Sequence, residues 1–146
     1  MVFHILILKY LILSAFLVHL THLDIKFRRI PNNIIIPLLL IGLFFLPFSQ
    51  KPISCLVGLV FLGIIMFLLN IYLNHFIGGG DIKLIMCIGV FTGISASIFI
   101  IVIASILCLL WALCNKFSYF STTTLPFCPF LTFSFIIYLF LYFFIQ

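Results

Sequence analysis

Past Arg29 the chain carries a charged side chain at only four places: Lys51, Asp81, Lys83 and Lys116. The uncharged stretches between them are long enough to cross a bilayer, because a helix needs about 20 residues to span about 30 Å of hydrocarbon. This spacing constrains the fold more than any other feature. A soluble domain wets its surface with about 25% charged residues, whereas 6% of these 146 residues are charged, 66% are apolar and twenty are Phe. A soluble enzyme, an extracellular disulfide domain and a disordered tail are all excluded. Collagen-like, coiled-coil and solenoid repeats are absent as well. The sequence predicts an all-α, polytopic membrane protein whose residues 1–146 form one integral membrane domain.

The net charge of +5 does not point to nucleic acid, because the bases are scattered. Their longest cluster, Lys26-Phe27-Arg28-Arg29, fits the role of fixing orientation at a membrane surface. The five cysteines (Cys55, Cys87, Cys108, Cys114 and Cys128) form no C-x-x-C pair and read as small hydrophobes. No closely spaced Cys/His set suggests a metal, so neither metal nor cofactor is expected. Residues 1–20 read as a retained span rather than a signal peptide. Their only base, Lys9, lies inside the apolar run, and no small-residue cleavage site follows.

Six membrane segments are expected, at residues 2–22, 34–48, 53–73, 82–92, 96–114 and from 126 onward, the fourth too short to cross comfortably. Polar breaks separate them: the basic loop 25–33, the turn 49–52, the glycine-rich stretch 74–81, the tight turn 92–95 and the Ser/Thr-rich loop 115–125. Loops after the first, third and fifth segments hold Lys26, Arg28, Arg29, Lys83 and Lys116; those after the second and fourth hold only Lys51. The positive-inside rule puts the first set in the cytoplasm and both termini outside. Lys9 falls within reach of the outer boundary and is expected to snorkel there.

Asp24 and Asp81 are the only acids in the chain, and the layout puts both at the cytoplasmic ends of segments. An ionisable group in such a position is costly and argues for function; the plainer reading makes each a surface anchor beside Lys26 or Lys83. Two carboxyl groups brought close together share a proton. The ionised one can then take a proton from water while the protonated one polarises a scissile carbonyl. This is aspartyl-protease chemistry, and it needs no metal, cofactor or serine. His22 and His75 are candidates to tune the pair, with an interfacial role as the alternative. Gly78-Gly79-Gly80, directly before Asp81, reads either as a turn or as a mobile, strand-like lip against which an extended substrate could lie.

Three segments resemble one family. Asp24-Ile25-Lys26-Phe27-Arg28-Arg29-Ile30-Pro31-Asn32 is similar to the "D…R-x-IPN" signature of the type IV prepilin peptidases. Gly78-Gly79-Gly80-Asp81-Ile82-Lys83-Leu84 resembles their "GxGDxKL" motif, and Leu125-Pro126-Phe127-Cys128-Pro129-Phe130-Leu131 their "IPFGPFL" segment, with Cys128 where glycine is usual. The resemblance implies that Asp24 and Asp81 are the catalytic pair of a GxGD-type intramembrane aspartyl protease, supported by Gly78, Gly79, Gly80, Lys83, Arg29, Pro31 and Asn32. It implies prepilin or type II secretion pseudopilin substrates, whose basic leaders are removed at the cytoplasmic face of the bacterial inner membrane. Because the chain opens directly on the first peptidase span, the expectation is a short, peptidase-only member without methyltransferase activity. Among the other residues, Pro31 favours an extended Ile30 and so a return of the chain into the membrane. Arg28 and Arg29 suit lipid phosphates, and Lys83 serves either to depress the Asp81 pKa or to anchor its segment. The rival readings are a presenilin-type protease, a small ion-coupled transporter using the two Asp residues, and a catalytically silent assembly protein.

Overall fold

The computed structural model describes residues 2–28, 30–73, 78–116 and 127–145. Expectations attached to Arg29, to His75 and to most of the loop 115–125 lie outside the described residues. Those residues form six α-helices: α1 (Val2–Phe27), α2 (Asn32–Phe44), α3 (Pro52–Tyr72), α4 (Gly79–Thr92), α5 (Ile94–Lys116) and α6 (Cys128–Ile145), with one 3-10 turn at Leu46–Phe48.

Six helices match the expected number of segments, but they are not six equal spans. Segments His4–Phe27, Pro52–Tyr72 and Ile94–Cys114 are long and apolar enough to cross a membrane, while Asn32–Phe44 and Cys128–Phe144 are shorter apolar helices. α2 ends at Phe44, and Pro47 stands inside the 3-10 turn that follows it. α4 belongs to neither group: its 14 residues are spent on neighbours, with Ile82, Leu84, Ile85, Cys87, Ile88, Gly89, Val90 and Phe91 all buried. It packs against α1, α2, α3 and α5, and α6 closes the bundle against α1 and α5.

Two glycines make the α3–α4 contact possible. A Cβ on Gly89 would stand 2.7 Å from the Gly58 carbonyl carbon and oxygen, and one on Gly58 would meet the Gly89 oxygen at 2.9 Å. Here backbone touches backbone, which only glycine permits. α4 then turns into α5 through Gly93 alone, at φ +83, realising the tight turn expected at 92–95.

α1 buries one stripe, Tyr10, Leu13, Leu17, Leu20 and Asp24. The spacing of three and four residues puts them on a single helical face. Asp24 therefore continues the apolar stripe into the bundle and is only 6% exposed. Just beyond it, Arg28 adopts φ +51 and its N–H donates to the Asp24 carbonyl at 2.8 Å, a left-handed closure of the last turn. The reversal thus begins before Pro31. Pro31 acts one step later than expected: its extended backbone (φ −73, ψ 132) caps α2.

Lys9 reaches the turn expected at the outer boundary but is covered there: it is 5% exposed, and its Nζ donates to Ser49 Oγ at 2.8 Å. The connection between α2 and α3 folds over it.

Candidate active site

Asp24 occupies the last turn of α1 and Asp81 the first turn of α4. Fifty-seven residues apart in sequence, they meet at the same end of the bundle. The Asp24 carboxylate acts on Asp81: together with burial, the larger cause, it pushes the Asp81 pKa up to about 6 from 3.8. Two carboxyl groups coupled in this way hold a proton between them more readily than two isolated ones.

A third element completes the site. The backbone N–H of Cys128, at the start of α6, donates to Asp24 Oδ2 at 3.2 Å. Cys128 also stands in the electrostatic field of both aspartates, so three helix ends converge on one point. Cys128 is fully buried and helical, so a side chain where the resembled family has glycine leaves the backbone able to serve Asp24. Beside it, Thr21 and Thr132 share a hydroxyl–hydroxyl hydrogen bond of 2.6 Å, and Thr132 Oγ1 donates to the Cys128 carbonyl at 2.9 Å. Thr21 lies one turn before Asp24, so this pair pins α6 to α1 where the carboxylate needs it. Reading the sequence missed both threonines and the Cys128 N–H. Thr132 directly follows the third motif, which was the one available signal.

The glycine triplet does something other than form a strand-like lip. Gly79 and Gly80 are the first turn of α4, and Gly78 is its extended N-cap (φ −61, ψ 132). The Gly78 carbonyl accepts the N–H groups of Asp81 and Ile82 at 3.0 and 3.3 Å. The three positions are not equivalent. A Cβ on Gly78 would lie 3.2 Å from Asp81 Oδ2, one on Gly80 would meet the Ile30 Cβ at 2.9 Å, and one on Gly79 would meet nothing within 4 Å. The first and third glycines therefore leave room, respectively, for the carboxylate and for the segment entering α2.

Lys83 Nζ donates to Asn32 Oδ1 at 2.9 Å, tying the start of α4 to the first turn of α2. The Asn32 and Lys83 motifs thus meet in space. No three His, Cys, Asp or Glu side chains gather into a set that could hold a metal ion among the described residues.

The chain belongs to the type IV leader peptidase family, whose sequence profile matches residues 11–113. That range includes both aspartates and stops short of α6. A prepilin leader peptidase/N-methyltransferase from Neisseria gonorrhoeae is 30% identical over 110 residues, covering 70% of this chain and 38% of that protein. The chain therefore spans well under half the length of this relative. No solved structure matches.

Proposed function

We propose that this protein is an aspartic-type endopeptidase of the membrane, and that residues 1–146 act as one peptidase domain. In this reading it removes the basic leader from type IV prepilins or type II secretion pseudopilins at the cytoplasmic face of the bacterial inner membrane. The observation that carries the reading is the meeting of the chain's only two acids, Asp24 and Asp81, with their charges coupled. Membership of the leader peptidase family supports the substrate class.

The pair holds one proton. Its ionised member takes a proton from water, and its protonated member polarises the scissile carbonyl. Cys128 N–H fixes one Asp24 oxygen, and the hydrogen bond between Asn32 and Lys83 holds α4, and so Asp81, against α2. The bases Lys26 and Lys83 occupy the same end of the bundle as the carboxylates, which supports a cytoplasmic placement. An ion-coupled transporter is the weaker reading, because coupling acids belong near the bilayer midplane and these two lie in a last and a first helical turn.

Purified protein in detergent, incubated with a prepilin, tests the proposal by mass spectrometry. The expected result is a mass loss equal to the leader. An intact prepilin after prolonged incubation with folded protein would remove the enzymatic reading and leave the assembly or transport alternatives.

A further inference from the structure

At the opposite end of the bundle from the carboxylates lies a cavity of about 230 Å³ whose lining includes Lys9, Ser49, Lys51, Ser54, Ser95 and Tyr138. One ordered water needs only about 10–15 Å³ on this measure, so the space admits a larger group. Lys9 is more than nine-tenths buried, and its hydrogen bond goes to the Ser49 hydroxyl, which carries no charge. Burying an ammonium without a counter-charge is unfavourable. No side chain of this sequence supplies that counter-charge here. Asp24 is fifteen residues further along α1, about 22 Å away at 1.5 Å per residue, and Asp81 sits beside it.

Ser54 and Ser95, in the first turns of α3 and α5, also contribute to the cavity lining, and Ser54 Oγ accepts the Ile94 N–H at 3.3 Å. Lys51 stands exposed at its rim. Two lysine side chains and several hydroxyl groups stand around one cavity with no carboxylate among them, beside aromatic walls at Phe45, Phe48 and Phe91, a lining that suits an oxyanion. The cavity lies where α2 gives way to α3, at the end of a span, and therefore at headgroup depth.

We propose that this cavity binds a phosphate group, with Lys9 as its buried counter-ion and Lys51 and the serine hydroxyls around it. The source is either the headgroup of an anionic phospholipid or free inorganic phosphate. The proposal is independent of the role of Asp24 and Asp81.

The test is thermal unfolding of the purified full chain in phosphate-free detergent. Dioleoylphosphatidylglycerol, inorganic phosphate or uncharged dioleoylglycerol is added in separate arms, because a ligand of the folded state raises the midpoint with its concentration. The expected result is a rise with phosphatidylglycerol if the source is lipid, or with inorganic phosphate if it is the free ion, and none with dioleoylglycerol. Lys9→Met should lose the rise, because the lysine buried in the cavity is gone. Lys9→Arg should keep the rise. Native mass spectrometry of the wild type should show a retained adduct of the mass of the active arm, a readout that stands even if Lys9→Met does not fold. The absence of any rise and adduct in the wild type would overturn the proposal. An equal rise in a folded Lys9→Met would do the same.

Discussion

Burial and the Asp24 carboxylate raise the Asp81 pKa from 3.8 to about 6, so the folded chain binds more protons than the unfolded one between those values. The contribution of this group to stability is complete below 3.8 and is lost as pH rises through about 6. The thermal midpoint in detergent should therefore fall across that window, and Asp81→Asn should flatten the fall. A midpoint that climbs with pH through the window would mean that Asp81 is held ionised. At this scale the sequence is readable wherever a residue type is rare: two acids among 146 residues announce themselves. Thr21 and Thr132 do not, because their value lies in a 2.6 Å contact across 111 residues of chain. The burial of Lys9 under Ser49 is likewise a tertiary fact, since an isolated α1 would leave that side chain free to reach water.

The glycines show what an element can and cannot reveal. The triplet before Asp81 reads from sequence as a break, and so it is, but its use as the opening of α4 depends on Ile30 lying over Gly80. Space alone separates the members. Gly79→Ala should leave cleavage intact and be neutral or stabilising, since alanine is favoured in a helix by about 1 kcal/mol. Gly80→Ala should destabilise by roughly 1–3 kcal/mol, the usual cost of overpacking, and slow cleavage by displacing α4. Denaturant titration and leader-cleavage assays on the two variants check this; equal behaviour would contradict the packing of Ile30 on α4. Gly89→Ala should cost at least as much as Gly80→Ala, because the atoms it meets in Gly58 are backbone and cannot swing aside. The lengths of α3 and α5 are legible from uncharged runs alone. α4 is not, because its burial on several sides is a property of the neighbours that enclose it.

For the whole molecule, the six-helix count and the meeting of the two motifs at one end follow from where polar residues interrupt the apolar runs. A tag-fusion or cysteine-accessibility map should read residue 28 as cytoplasmic and residue 51 as external, from the uneven sharing of bases between alternate loops. An external reading at 28 would invert the orientation and move the carboxylates to the wrong face. The convergence of α1, α4 and α6 on one point is invisible in sequence, since it needs the Cys128 N–H to arrive beside Asp24. The central claim is that Asp24 and Asp81 act as one unit, and leader cleavage by Asp24→Asn, Asp81→Asn and the double variant tests it most directly. Groups that work together are non-additive, so each single substitution should lose as much activity as the double, at least about 10²-fold, while all three variants insert and fold. Appreciable cleavage by either single variant, or losses that multiply in the double, would contradict the account.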